Sequence, residues 1–126
     1  MKVFVYFNLH KRVFSVKALE GAEKGRVIGH RTSLAIYSPV FKVSEAGRQR
    51  VVREKRKNVH AGVVGFLTAP YDWTKELVEW TPVTYNPYIF SSFVTRLGKP
   101  VHKAQFARMN IVSDIPYVEA GNAEPC

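Results

Sequence analysis

The sequence contains very little cysteine and no long apolar run. Its one cysteine among 126 residues is Cys126, so an internal disulfide and a cysteine-based zinc site are both excluded. This cysteine usage is typical of a protein from a reducing cytosol. No apolar run approaches the ~20 residues of a membrane-spanning helix, and the opening residues lack the pattern of a signal peptide. We therefore expect a cytoplasmic protein with no membrane partner.

The motifs of several common enzyme classes are also absent. The sequence has no P-loop, no Gly-x-Ser-x-Gly nucleophile motif and no Gly-x-Gly-x-x-Gly dinucleotide motif. Carboxylates are few, with 10 Asp and Glu in the chain, and Asp72 and Asp114 are isolated. The four histidines lie far apart, and no pair has the i, i+4 spacing of a helical metal site. We predict no metal and no cofactor, and we favour binding over catalysis.

The chain has an excess of positive charge. Its 19 lysines and arginines outnumber its 10 acidic residues, which gives a formal net charge of +9 and a pI of about 9.9. An excess of this size favours a polyanionic partner, most often nucleic acid. One alternative is an acidic protein as the partner, and another is a charge that only keeps the protein soluble.

Hydrophobic alternation predicts a chain built mostly of strands. The predicted strands cover residues 3–7, 13–19, 26–30, 34–43 and 59–68, and extended structure dominates from 81 to 115. Because proline cannot donate to a ladder, Pro39 places its strand at an edge or in a bulge. Gly62 and Gly65 indicate a bend or a close approach of another backbone. Residues 96–99 are predicted as a hairpin turn, and residues 70–80 as a short helix.

Residues 45–57 are predicted to form the main helix. Ser44 is a suitable N-cap, and Glu45 lies in the first turn, where a negative charge is favourable. We therefore predict an α+β domain, with a strongly curved antiparallel sheet or small open barrel and this helix packed at one side. An all-β fold is the nearest alternative. A single globular domain is expected over residues 1–118, followed by a disordered tail of small and polar residues at 119–126.

The predicted helix carries the densest positive charge in the chain. Residues 42–57 contain seven basic and two acidic side chains. Arginine forms bidentate hydrogen bonds with phosphate oxygens, and phosphate neutralisation releases counterions. An ordinary solvated helix face is the alternative interpretation. The predicted nucleic-acid-binding residues are Arg50, Arg53, Arg56 and Lys57, assisted by Arg48 and Lys55. Helical spacing places these last two beside Val51 and Val52, with their apolar stems over apolar surface and their charged heads in water.

Aromatic residues offer a second route to nucleic acid, because exposed rings can stack on single-stranded bases. Most aromatic residues occupy strand positions that a core would bury. Four of them lie beside prolines in predicted turns and are expected to be more exposed: Tyr71, Trp73, Tyr85 and Tyr88.

One enzymatic hypothesis is a metal-independent ribonuclease. Such an enzyme needs a general base, a general acid and a cation beside the phosphate. His60 is the central candidate, with His10 or Tyr85 as its partner. The alternatives are a core histidine at position 60 and an exposed hairpin residue at position 10.

Four short segments resemble a group of small proteins encoded by tailed bacteriophages. They are Val5-Tyr6-Phe7-Asn8-Leu9-His10-Lys11, Phe41-Lys42-Val43-Ser44, Lys57-Asn58-Val59-His60-Ala61 and Tyr85-Asn86-Pro87-Tyr88. The resemblance covers roughly residues 2–112 and assigns no catalytic or binding residue. It implies an accessory protein in the cytoplasm of an infected bacterium, which acts on nucleic acid or, alternatively, inhibits an acidic host protein.

Overall fold

A computed structural model describes residues 1–55, 59–67, 79–113 and 115–125. Within these residues, 56% lie in strands and 9% in a helix. The described residues form one short helix, α1 (Glu45–Glu54), and the following ten strands: β1 (Lys2–Asn8), β2 (Val13–Ala18), β3 (Val27–Arg31), β4 (Ser33–Val43), β5 (Ala61–Leu67), β6 (Trp80–Val83), β7 (Val101–Lys103), β8 (Phe106–Val112), β9 (Ile115–Gly121) and β10 (Glu124–Pro125).

The strands form one antiparallel sheet. Its order is β3-β2-β1-β5-β4-β8-β9-β6, and the short strand β7 pairs with both β4 and β10. The α+β prediction with a main helix is therefore wrong. The residues that the structure describes form an essentially all-β fold, which was the alternative prediction. The reason is that α1 has only 10 residues, of which Val51 is buried, so it forms no layer of its own against the sheet.

The predicted bulge in β4 is confirmed. The register between β4 and β5 shifts between Tyr37 and Val40, and Ser38 adopts a left-handed φ of 52°. The strand nevertheless lies inside the sheet, because β5 and β8 pair with its two sides. The bulge lets an interior strand contain Pro39, which has no backbone N–H to donate.

The close approach predicted at two glycines of β5 is also confirmed. A Cβ on Gly62 would lie 2.5 Å from the carbonyl oxygen of Val5, and one on Gly65 would lie 2.2 Å from Cγ2 of Ile36. Both distances are far below van der Waals contact. Glycine at these positions therefore lets the apolar core close around Val5 and Ile36, which are almost fully buried.

The helix begins where the sequence predicts and ends earlier. The Ser44 hydroxyl accepts a hydrogen bond from the Gly47 backbone, so this N-cap is confirmed. Lys55 has a left-handed φ of 55° and ends the helix, whereas the prediction extended it to residue 57. No helix in the described ranges is long and apolar enough to cross a membrane.

The turn at 96–99 forms as predicted, with Gly98 at a positive φ of 79°. Most of the predicted 70–80 helix lies outside the described residues, and Trp80 begins β6. The tail predicted at 119–126 is strand-paired in its described part. Glu119–Gly121 end β9, and β10 pairs with β7. The segment is ordered because Ala120 is completely buried in the core, although its neighbours in sequence are small and polar.

Candidate nucleic-acid interface

The β1–β2 loop and α1 lie near the same end of the sheet. Strand β4 ends at Val43, which pairs with Ala61 at the start of β5, and α1 follows directly. Strand β1 is antiparallel to β5, with Val5 opposite Val63, so the end of β1 extends toward the start of β5. The topology therefore brings residues 8–12 and α1 to one region, although the sequence separates them by more than 30 residues.

Only part of the predicted basic surface is available to a ligand. Arg48 is mostly buried, with 17% of its side chain exposed, and forms a 2.8 Å ion pair with Glu45. Its Nε also donates to the Phe90 carbonyl at 2.8 Å. Arg48 thus attaches α1 to the loop after β6.

The remaining described cations of α1 are exposed. Arg50 and Arg53 form no ion pair with the residues that the structure describes, and Lys55 follows them at the helix end. Of the predicted binding residues, Arg56 and Lys57 lie outside the described ranges. The described surface therefore offers Arg50, Arg53 and Lys55, with Glu54 as the one unpaired carboxylate among them.

The β1–β2 loop adds further basic residues. The Asn8 side-chain oxygen accepts from the backbone N–H groups of His10 and Lys11, both at 3.0 Å. Arg12 adopts a φ of 59°, and its N–H donates to the Asn8 carbonyl at 2.7 Å. These bonds fix a tight turn that carries three consecutive side chains with basic character.

A cavity of about 910 Å³ lies between these two elements. Its wall contains residues from β1, β2, β5, β6, β8 and β9, and it is mostly apolar. The apolar residues include Val5, Phe7, Phe14, Val63, Phe93 and Met109. The polar residues include His10, Lys55, His60, Thr84, Tyr85 and Tyr88.

A histidine–tyrosine pair forms part of the cavity wall. The His60 Nε2 and Tyr85 hydroxyl atoms are 2.6 Å apart, and the ring centroids are 5.5 Å apart. The His60 carbonyl accepts from the Ser44 backbone N–H at 2.7 Å. A Cβ on Gly47 would lie only 2.6 Å from the Cβ of His60, so the helix needs glycine at that position to pack here.

The surroundings of Tyr85 keep its hydroxyl protonated. Burial raises the pKa of Tyr85 to about 12, opposed by the positive charge of Arg48 and reinforced by the negative charge of Glu45. At neutral pH this phenol is therefore a neutral hydrogen-bonding group. A pKa this far above neutrality is poorly matched to general acid–base catalysis, which works best near the operating pH.

The three catalytic candidates line the same cavity, and two of them, His60 and Tyr85, are in contact. His10, His60 and Tyr85 all line it, whereas His30 and His102 do not belong to its lining. His30 instead contacts the buried Ser15 hydroxyl through Nδ1 at 2.9 Å. No group of three potential metal ligands occurs among the residues that the structure describes.

Sequence reasoning missed two features of this region. It expected the charged head of Arg48 to reach water and did not indicate the contact with the Phe90 carbonyl, which is 42 residues away. It also expected Tyr85 to be exposed, whereas the side chain is half-buried. Tyr88 is 57% exposed, in line with expectation, and Tyr71 and Trp73 lie outside the described residues.

A family model described as the Mycobacterium phage L5 gene 82 protein matches residues 1–113. The chain belongs to this family. The gene 82 protein of Mycobacterium phage L5 is 42% identical over 102 residues, which cover 75% of this chain and 77% of that protein. The resemblance to phage proteins is confirmed, and this gene 82 family member is a bacteriophage protein. No solved structure matches the chain significantly. The family description states no ligand or activity, so it assigns no role to the residues above.

Proposed function

We propose that this phage protein binds nucleic acid through phosphate contacts, as an accessory protein in the cytoplasm of the infected bacterium. The observation that carries the proposal is the pair of exposed arginines, Arg50 and Arg53, which have no ion-pair partner among the described residues. Like charges one turn apart on a helix repel each other, so the arrangement is unfavourable unless an anion approaches. A phosphate backbone supplies such anions at regular spacing.

The charge balance of α1 supports this assignment. Glu45 lies in the first turn of the helix and already forms an ion pair with Arg48. The exposed charged side chains toward the helix end are three cations and one carboxylate: Arg50, Arg53, Lys55 and Glu54. The β1–β2 loop brings Lys11 to the same region of the molecule. The Lys11 Nζ atom lies 3.5 Å from Nε2 of His30, so the cluster that supports the proposal is Arg50, Arg53 and Lys55 at the helix end.

The test is titration of labelled single- and double-stranded DNA and RNA at several salt concentrations. The Arg50→Gln/Arg53→Gln variant removes two charges from the proposed surface. Lys24→Gln/Arg26→Gln removes two charges from the β2–β3 turn, at the other end of β2 from the β1–β2 loop, and is the matched control. For single strands, loss of two phosphate contacts should reduce the steepness of the log–log salt dependence by about 1.4.

Two results would contradict the proposal. One is no binding to any nucleic acid at low salt, and the other is equal weakening by the two double variants. A host protein that co-purifies with the chain after nuclease treatment, and that is lost in Arg50→Gln/Arg53→Gln, would instead favour the inhibitor of an acidic host protein.

A second candidate function is RNA cleavage. The observation that favours it is the 2.6 Å contact between His60 and Tyr85, together with His10 in the same cavity lining. His60 would act as general base, with His10 or Tyr85 as its acid partner. The raised pKa of Tyr85 makes His10 the better acid. Incubation of structured RNA with the wild type, His60→Gln and His10→Gln tests this function. Absence of cleavage by the wild type, or equal cleavage by all three proteins, would rule it out.

A further inference from the structure

The cavity beside α1 has the size and lining of a site for a small organic molecule. Such sites typically enclose about 300–1,000 Å³ and combine apolar walls with a few polar groups. At about 910 Å³, this cavity falls within that range. It is therefore large enough for a planar ring system together with an attached sugar.

One wall of the cavity is a run of packed rings. Phe93 and Tyr85 line the cavity with ring centroids 5.2 Å apart, and Tyr85 continues to His60 at 5.5 Å. The core residue Phe41 packs behind Phe93 at 5.3 Å and does not line the cavity. Tyr88 lines the same cavity and is 57% exposed. An aromatic wall with an exposed ring is suited to stacking on a planar ligand, because every nucleobase presents a π-face.

The polar groups of the cavity can bind the edge and the charge of such a ligand. The Tyr85 oxygen has more than one hydrogen-bonding position, so its contact with His60 leaves an acceptor for a ring N–H or amino group. Lys55 and His10 line the cavity from α1 and from the β1–β2 loop. These side chains are suited to a phosphate attached to the ring system.

We infer that the cavity binds a nucleotide, with its unpaired base against the aromatic wall and its phosphate beside Lys55 and His10. This inference rests on the proposed function, because the phosphate-binding surface of α1 continues into the Lys55 side of the cavity. The nucleotide is either free or part of a single strand. A base in a duplex is paired and stacked, so it cannot enter without being extruded. The protein should therefore prefer single strands to duplexes.

The experiment follows backbone amide NMR shifts of the full chain during titration with the four nucleoside 5′-monophosphates. Ribose 5-phosphate, which carries the same charge without a base, is the control ligand. Val118→Trp places a large ring into the cavity lining, and Val27→Trp makes the same change at an exposed position of β3 outside that lining. Tyr88→Ala, at an exposed site, provides a second variant should Val118→Trp fail to fold.

We expect saturable shifts at residues 5–9, 60–63 and 84–88 with at least one monophosphate, and much weaker ones with ribose 5-phosphate. Val118→Trp should abolish these shifts, and Val27→Trp should retain them. Tyr88→Ala should weaken binding by about 5- to 150-fold, the range for loss of one stacking partner. No saturable shift at the cavity, equal shifts with ribose 5-phosphate, or unchanged binding in Val118→Trp and Tyr88→Ala would overturn the inference.

Titration with a labelled single strand and its duplex separates this inference from the proposed function. If Arg50→Gln/Arg53→Gln weakens binding and neither Val118→Trp nor Tyr88→Ala affects the single strand, the cavity inference fails and phosphate binding stands. If monophosphates bind in the cavity but no strand binds, the proposed function fails and the cavity is a site for free nucleotides. Loss of single-strand preference in both cavity variants, with duplex binding unchanged, supports both.

Discussion

Arg48 and Arg50 are two residues apart on α1 but differ in their surroundings, and replacing each with methionine separates a structural role from the proposed binding role. Methionine keeps a long apolar stem and removes the guanidinium. Arg48 donates to the Phe90 carbonyl from a largely buried position, whereas Arg50 is exposed. Arg48→Met should therefore destabilise the fold, and Arg50→Met should weaken nucleic-acid binding.

The magnitudes follow from these contacts. A hydrogen bond from a charged donor contributes about 1.5–3 kcal/mol, and the Glu45 ion pair adds less because the carboxylate is exposed. Arg48→Met should thus cost about 2 kcal/mol, which corresponds to a fall in Tm of roughly 6–12 °C. Arg50→Met should change stability by less than about 0.5 kcal/mol. It should instead reduce the steepness of the salt dependence for single strands by about 0.7, the value for one phosphate contact.

Thermal unfolding monitored by circular dichroism measures the first effect, and titrations at several salt concentrations measure the second. The reasoning would be refuted if Arg48→Met left Tm unchanged. It would also be refuted if the two variants reduced the salt dependence equally, because Arg48 would then contact phosphate despite its internal partners.

Two further predictions concern the core and the cavity wall. Gly65→Ala should lower the free energy of unfolding in urea by about 1–3 kcal/mol or more, because its Cβ would lie 2.2 Å from Ile36. Gly29→Ala, where a Cβ has nothing within 4 Å, should be neutral or slightly stabilising. Equal effects of the two variants would contradict the close approach at Gly65. Burial raises the pKa of Tyr85 from 10.0 to about 12, so the folded state keeps a proton that the unfolded state loses across this interval. The stability contributed by the neutral Tyr85 phenol should therefore be fully present below pH 10 and decline as pH rises toward 12. In alkaline unfolding curves, Tyr85→Phe should remove this part of the decline. An unchanged decline in that variant would contradict the burial of the phenol.

The local elements of the fold could be predicted from sequence. Apolar alternation located β1, β2, β3 and β5, and Pro39 located the bulge in β4, because these signals depend on residues close in sequence. The order of the strands could not be predicted, since β1 pairs with β5 across more than 50 residues and alternation carries no pairing information. The described part of the predicted tail became strand for the same reason: its partners lie in β6, β7 and β8.

The candidate site shows the same division. Charge density identified Arg50 and Arg53, and residue chemistry identified His60 and Tyr85 as a possible pair. Whether any of them binds or catalyses stays a prediction. Sequence spacing could not show that the last two are in contact, because 25 residues separate them. Helical spacing did place Arg48 on the Val51 side of the helix. It could not show that the guanidinium leaves water for the Phe90 carbonyl, because that partner is 42 residues away.

The position of α1 follows from the same contacts that build the cavity wall. Its N-terminal end is held by the bond from Ser44 to the His60 carbonyl and by the close packing of Gly47 on His60. One turn later, Arg48 attaches it to the loop that leads from Tyr85 to Phe93. The helix therefore cannot shift without moving the rings that line the cavity. Because the exposed arginines lie on this anchored helix, the fold sets their distance from the cavity.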